Sequence, residues 1–465
     1  MRVVLADLKG KVGFVSKDTV AGGYGSRFTP FSKTTKWVHR FKSQYHDTPS
    51  VHMAYVAAIF ARWGHEVVST RSELKDGDLA IVLSSLVDYR QETTWADAMR
   101  ARGVRVGFVG LTASKMPQLF ADHADFILDG EPEAGIARLA QGERLDGLCK
   151  SEAIMDLDSL PFPRWDLLAR GEVKRGFGIR FPHRPLGATF PLLASRGCPE
   201  FCTYCPHRIL AGYRTRSVGN VVDEIAAMCD QSRRPYIIFR DSLFSELRER
   251  ILELCDEIRA RGLRFHFECE TRLDRLDFDI LKQLHAAGMR AMSFGVESVS
   301  PQTLKKVGRR PIPLEHQRRV LEHCRELGIV TAAFFVLGFP SDDWQSIAAT
   351  IDFATELGPT FAQFKLLTPY PGTPLFKQMQ PLVVEPDWEK FDGFTPTFTH
   401  PNLSSEELMF LLGAAYTHFY MRPSYLANLF KVHNRGVRNW VGRLDRRVSM
   451  RIQRREAEIM RPVTC

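Results

Sequence analysis

A chain of 465 residues has room for about three domains of ordinary size. With 44% apolar and 25% charged residues it has the composition of a globular protein, not of a disordered or fibrous one. Its nine cysteines stand at odd spacings, which argues against a disulfide framework and for a reducing, cytoplasmic setting. The formal charge of +9 is concentrated at one end: from Lys431 to Cys465 ten Lys and Arg face three acids, so this stretch carries +7. Such a tail reads first as a solvated helical face, and otherwise as a peripheral contact with an anionic surface, a carrier protein or nucleic acid.

The opening run Met1-Arg2-Val3-Val4-Leu5-Ala6-Asp7 reads as a strand and not as a signal peptide. No run approaches the roughly 18 apolar residues of a membrane-spanning helix. Further strands are expected at Glu66–Ser69, Leu79–Leu83, Val104–Val109 and Asp125–Leu128. Helical patterns at His52–Trp63 and Thr93–Arg102 are closed by Gly64 and Gly103. Alternating strands and helices imply a parallel, doubly wound sheet, whose ligands sit at the carboxyl ends of the strands. Those ends carry Ser84-Ser85, Gly110-Leu111-Thr112 and Asp129-Gly130-Glu131-Pro132-Glu133. From Lys9 to Thr48 the chain is irregular and rich in Gly, Ser and Lys, with Ala21-Gly22-Gly23-Tyr24-Gly25-Ser26-Arg27 at its centre. We expect a long functional loop over the top of the sheet there.

Leu157-Asp158-Ser159-Leu160-Pro161-Phe162-Pro163-Arg164-Trp165 cannot continue a helix and marks a boundary. Beyond it a second series begins, with strands expected at Pro191–Ser195, Tyr236–Arg240, Arg264–Glu268, Ala291–Gly295, Thr331–Leu337 and Phe361–Leu367. Helices are expected between them at Val218–Cys229, Leu247–Arg261, Asp279–Ala287, Leu314–Leu327 and Trp344–Glu356. Past Pro386 the pattern turns helical, with Ser404-Ser405-Glu406-Glu407 capping Leu408–Tyr420. The aromatics Tyr416, Phe419, Tyr420, Tyr425 and Phe430 there read as core.

Behind the first strand of this second series lies Arg196-Gly197-Cys198-Pro199-Glu200-Phe201-Cys202-Thr203-Tyr204-Cys205. Three thiolates at CxxxCxxC spacing can hold three irons of a four-iron cluster and leave the fourth open. The alternative is a structural zinc site, which prefers paired C-x2-C spacing and here finds only His207 as a nearby fourth ligand.

The cysteine run, with Tyr204 just before the third cysteine, resembles the radical S-adenosylmethionine (SAM) superfamily. Phe239-Arg240-Asp241-Ser242-Leu243-Phe244 resembles the DxxF segment of its cobalamin-associated branch. Glu268-Cys269-Glu270-Thr271-Arg272 is similar to that branch's TR element, and Gly295-Val296-Glu297-Ser298 to its GxES motif. Val336-Leu337-Gly338-Phe339-Pro340 resembles the Gly-Phe-Pro turn on the adenine side, and Thr368–Pro374 follows the last strand. Ala124-Asp125-Phe126, Gly130-Glu131-Pro132-Glu133 and Leu160-Pro161-Phe162-Pro163 look like the branch's cobalamin-binding domain and linker. The DxHxxG motif by which other cobalamin proteins supply a histidine to cobalt is absent, as is usual in this branch.

The resemblance implies an α/β protein with a Rossmann-like cobalamin-binding-type domain over residues 1–150 and a Pro-rich linker over 151–185. A partial (β/α)6 barrel would follow over 186–386, then a helical, basic region over 387–465. It assigns Cys198, Cys202 and Cys205 to a [4Fe-4S] cluster, and SAM to Tyr204, Asp241, Arg272, Glu297, Ser298 and Gly338. Cobalamin falls to Ser84, Ser85, Gly110, Gly130 and Glu131. The implied reaction is methylation of an unactivated carbon of a small-molecule, lipid or peptide substrate through a 5′-deoxyadenosyl radical. An electron donor such as flavodoxin or ferredoxin would serve the cluster. A cyclisation or rearrangement with the same cofactors, or modification of a nucleic acid, are the other readings.

Overall fold

The computed structural model describes residues 1–9, 14–17, 23–42, 49–168, 188–423 and 425. Two six-stranded parallel sheets organise them. In the first, the order is Glu66–Thr70, Arg2–Ala6, Leu79–Leu83, Arg105–Val109, Phe126–Gly130, Gly147–Ser151. Alternation along its strands covers both faces. Val3, Leu5 and Ile81 pack towards helices Val51–Arg62 and Pro132–Ala140, while Val4, Ala80 and Val82 meet Trp95 and Met99 on the other side. Gly64 and Gly103 follow their helices at φ 78° and 81°, as expected of glycine caps. The strand Gly147–Ser151 was not anticipated, because its half-exposed edge sequence Gly-Leu-Cys-Lys-Ser has no apolar period.

The second sheet runs Thr189–Leu192, Tyr236–Phe239, His266–Thr271, Met289–Glu297, Val330–Leu337, Phe361–Leu366 in neighbour order, all parallel, with helices between successive strands. Phe267, Met292, Phe294, Phe335 and Phe364 are buried beneath the helices. Glu268, Glu270, Ser293, Gly295, Glu297, Phe334, Gln363 and Lys365 alternate with them and line the partly open inner face. The third and fourth strands are longer than expected, so Glu270, Thr271 and Glu297 lie within strands and not in the loops after them. The strand expected at Pro191–Ser195 ends at Leu192. Ser195-Arg196 instead pairs antiparallel with Arg214-Thr215, framing the cysteine loop.

Two further segments close the structure. The stretch expected to be irregular contains a hairpin, Phe14–Ser16 with Ser26–Phe28, and a helix Lys33–Lys42. This strap leaves the first sheet for the barrel: Tyr24 Oη donates to the Pro371 carbonyl at 2.6 Å and its ring stacks on Tyr370, while Ser26 Oγ donates to the Asp392 carbonyl. On the other flank, Arg27 pairs with Asp88 and Lys17 with Glu92. Helix Ser405–Tyr420 starts with a Ser404/Glu407 capping box and covers the outer edge of the sixth barrel strand. There the hydroxyls of Tyr416, Tyr420 and Tyr425 donate to the carbonyls of Phe364, Ala362 and Thr360. These aromatics are core, as the sequence implied. Phe430 and the basic stretch from Lys431 onward lie outside the described residues.

Candidate functional site

The cysteine loop leaves the first barrel strand through Gly197 at φ 71°, where a Cβ would lie 2.4 Å from the Ala211 carbonyl oxygen; only glycine fits. Three other strand-end loops hold it. Thr203 N donates to the Val307 carbonyl at 2.8 Å, Leu375 N donates to the Thr203 carbonyl at 3.0 Å, and Glu200 is met by Arg272, Arg275 and Arg310. Burial pushes the Cys198 thiol up to about 11 and raises Cys205 further, and the neighbouring sulfurs add to both shifts. Clustered thiols of this kind ionise only when a cation repays the cost, which is what bound iron supplies. Among the described residues no three His, Cys, Asp or Glu side chains converge on a single metal ion. A four-iron cluster instead takes each thiolate on a separate iron.

Beside the loop, Glu297 sits at φ 67°, a left-handed conformation costly for a non-glycine residue. It turns the carboxylate back over Gly295, where a Cβ would lie 2.1 Å from Oε1. Tyr204 donates to this carboxylate and packs edge-on against Phe339. Arg309 fills the remaining space, donating to the Gly295 carbonyl at 2.5 Å and lying 3.6 Å from Glu297 and 3.9 Å from Cys202 Sγ. Burial opposes its charge, but Tyr204, Glu297 and Cys202 outweigh that and hold the guanidinium protonated. Arg309 was missed in the sequence because Gly308-Arg309-Arg310 belongs to no strand end.

Other expected SAM residues are engaged elsewhere. Asp241 accepts from Ser195 Oγ at 2.5 Å and Ala194 N at 3.1 Å, bracing the approach to the cysteine loop. Arg272 forks Asp274 at 3.0 and 2.9 Å and reaches the Arg310 carbonyl. Ser298 Oγ accepts from Ser300 N, and Gly338 N donates to Asp342, both inside turns.

A cleft open to solvent, about 710 Å³ with its open part counted, lies between the two sheets. From the first sheet come Leu83, Val109, Gly110, Leu111, Gly130, Glu131 and Pro132; from the barrel come Ser195, Gly197, His207, Ala211, Arg240 and Ser242. Gly110 and Gly130 adopt φ 107° and 118°, and a Cβ on Gly130 would lie 2.3 Å from the Ser151 carbonyl oxygen. The lining joins apolar Leu83, Val109, Leu111 and Pro132 and glycine backbone to the polar Lys17, His52, Glu131, Arg196, His207 and Arg240, which suits a large ligand with an apolar body and polar edges such as a corrinoid. Two expected contacts do not reach it. Ser84 Oγ spans the Val109 carbonyl and Ala113 N, and Ser85 gives both its N–H and its hydroxyl to Glu92. Both serines are fully buried and position the strand end. The Gly130–Glu133 segment also ties the two domains together, since Glu131 and Glu133 bind Arg196 and Arg214 of the barrel.

Deeper in the lumen, Glu270 and Lys365 face inward from the third and sixth strands. Burial pushes the Glu270 carboxyl up to about 7 and the Lys365 amine down to about 8. Lys365 runs past Gly393 and ends 3.4 Å from Ser26 of the strap. Their signal in the sequence was positional, close to each strand's end on the lumen face.

Residues 192–354 match the model of the radical SAM superfamily. An uncharacterized methyltransferase of Pyrococcus horikoshii is 28% identical over 323 residues, 68% of each chain. The anaerobic magnesium-protoporphyrin IX monomethyl ester cyclase of Rubrivivax gelatinosus is 27% identical over 72% of this chain and 58% of its own. Among solved structures, the radical SAM methyltransferase TsrM of Kitasatospora setae, with cobalamin and a [4Fe-4S] cluster bound, superposes with a TM-score of 0.60 at 16% identity, covering 97% of this chain and 99% of that one. The fold and site define a radical SAM barrel joined to a doubly wound domain. Residues 192–354 are similar to the radical SAM superfamily, and the fold as a whole, a doubly wound domain ahead of the barrel, is that of the cobalamin-bound methyltransferase structure.

Proposed function

We propose that this protein is a cobalamin-dependent radical SAM enzyme that methylates an unactivated carbon of a small molecule. The observation that carries the reading is the cleft that joins the carboxyl ends of the first sheet to the wall behind the cysteine loop. Cys198, Cys202 and Cys205 would hold the cluster, which when bound would supply the electron for reductive cleavage of SAM. Cobalamin, held between the two sheets, would supply the methyl group. Glu297 accepts from the ribose hydroxyls of SAM, with Tyr204 and Arg309 fixing its carboxylate in place. Gly110, Gly130 and Pro132 on one side and Gly197 and Ala211 on the other would hold the corrinoid and exclude water from it. Glu270 and Lys365 meet the polar groups of the substrate in the lumen, and the strap through Ser26 closes that side. An electron-donor protein supplies the reducing equivalent. The eight cysteines among the described residues are free thiols, in keeping with a cytoplasmic site of action.

The test is anaerobic purification with corrinoid supplied, followed by iron content, the corrinoid absorbance spectrum, and assay of 5′-deoxyadenosine and S-adenosylhomocysteine. Both products together establish methylation. The similarity to the cyclase supports a second reading, ring formation with the same cofactors. Deoxyadenosine without S-adenosylhomocysteine would select it.

A further inference from the structure

On the side of the cysteine loop away from the cavity, Phe201 stands 66% exposed between Cys198 and Cys202, the most exposed large apolar side chain of the barrel. Cys202, one residue on, is buried. One cation lies against the ring, and others stand on the segments that touch the loop. The Arg208 guanidinium lies 4.8 Å from its centroid and donates to the Phe201 carbonyl. Helix Pro301–Lys306 ends in the exposed Lys305 and Lys306. The carbonyl of the next residue, Val307, accepts from Thr203 N in the loop itself. At Gly308 the backbones approach so closely that a Cβ would lie 2.6 Å from the Phe201 carbonyl oxygen. Arg310, also exposed, completes the set. The one acid of the loop, Glu200, is only 14% exposed and already shared by Arg272, Arg275 and Arg310, so it does not cancel the field outside.

An exposed aromatic with Arg208 against its ring and basic side chains on the adjoining segment is out of place on a surface that meets only water, since an aromatic centre with a charged rim is how protein interfaces are built. Its backbone runs directly into the buried Cys202, making it a short covalent route from solvent to the cluster that the cysteines would hold. We propose that Phe201, Arg208, Lys305, Lys306 and Arg310 form the docking surface for an acidic, low-potential flavoprotein that reduces the cluster. The proposal rests on the three cysteines holding that cluster. In the step, the reduced flavin is oxidised by one electron, the cluster gains it, and no bond forms between the proteins. Charge complementarity selects an acidic partner and sets the encounter rate.

The probe is flavodoxin, with the anaerobic, cluster-loaded protein. In Lys305→Glu/Lys306→Glu, and separately in Phe201→Ser, affinity for oxidised flavodoxin measured by titration calorimetry is expected to fall about tenfold or more at low salt, with the wild-type value itself falling as salt is added. Bleaching of the cluster absorbance by reduced flavodoxin should slow in parallel, while bleaching by dithionite keeps its full amplitude. Unchanged affinity and unchanged flavodoxin rate in both variants overturn the proposal. So does a loss confined to binding of single-stranded RNA or anionic vesicles, which would make the patch a nucleic-acid or membrane contact. A wild type without iron, or one that dithionite cannot bleach, refutes the cluster and leaves the calorimetry to judge the surface on its own.

Discussion

Arg196 Nη2 donates to Glu133 Oε1 at 2.8 Å, with the two side chains 5% and 2% exposed. Burial alone would raise the Glu133 carboxyl; Arg196 outweighs it and holds that carboxyl below its ordinary range. Arg196 stands two residues before Cys198 and Glu133 three after Gly130, so this ion pair, beside those of Glu131 with Arg196 and Arg214, ties the cysteine loop to the first sheet. Removing one partner strands a buried charge. Arg196→Met should therefore cost about 3 to 5 kcal/mol, read as a lowered denaturant midpoint of the cluster-free protein. A loss below about 1 kcal/mol would mean that Arg214 and Glu131 carry the seam alone.

Cys198→Ala, Cys202→Ala or Cys205→Ala should each abolish cluster assembly, measured as iron per chain and absorbance near the thiolate-to-iron band, because no spare thiol lies in the loop. Replacing Cys149, Cys229, Cys255, Cys324 and Cys465 together should leave iron unchanged. Iron loss in the second variant, or retention in the first three, would show the ligand set to be wrong.

Ala211 lines the cavity from the barrel side with an extended backbone, at φ −154°, that any residue adopts. Ala211→Trp should fill the space and prevent corrinoid retention while iron content stays at the wild-type level. Ser85→Phe is a different experiment. It breaks the buried bonds to Glu92, and it should lower the melting temperature whether or not a corrinoid binds.

Glu297→Gln should weaken SAM binding roughly tenfold to a hundredfold with iron retained, the usual worth of a charge-assisted hydrogen bond. Equilibrium binding of SAM to the cluster-loaded variant checks it. Arg272→Ala should instead reduce iron loading, since its guanidinium joins Asp274 to Glu200 of the cysteine loop.

Glu270 has its folded pKa raised from 4.5 to about 7. The folded state then binds more protons than the unfolded one between these values, so this group's stabilising contribution is complete below 4.5 and is lost as pH rises through about 7. Glu270→Gln removes that dependence. Its melting temperature should exceed the wild type's at about pH 8, and the gap should close as pH falls towards about 5. A constant gap would place the effect in packing.

The elements of both sheets were legible because buried parallel strands and amphipathic helices write their periods into the chain: Leu314–Leu327 and Leu79–Leu83 run as expected, and the other helices differ by a few residues. The cysteine loop stood out by its spacing, and the structure places it where the first barrel strand ends. What failed to show was partnership. Asp241, Arg272, Ser84 and Ser85 have the residue types of ligand contacts, yet their bonds go to Ser195, Asp274, Val109 and Glu92, and only the fold brings those neighbours within reach. Arg309 and Lys365 were invisible for the converse reason. Neither lies in a motif, and each gains its meaning from residues far along the chain, Cys202 and Ser26.

The strap has a consequence for biosynthesis. Arg27 and Lys17 can pair with Asp88 and Glu92 early, but Tyr24 closes on Pro371, Ser26 on Asp392 and Thr34 on Thr417, so the barrel-side partners of the strap come 347 residues or more after it. The amino-terminal sheet can fold early, as domains emerging from the ribosome do, but its strap must wait with Tyr24 and Phe28 uncovered. One of the last stretches to leave the ribosome is thus what sets the first into place, and a nascent chain arrested before Pro371 should expose the strap to protease while its sheet is already protected.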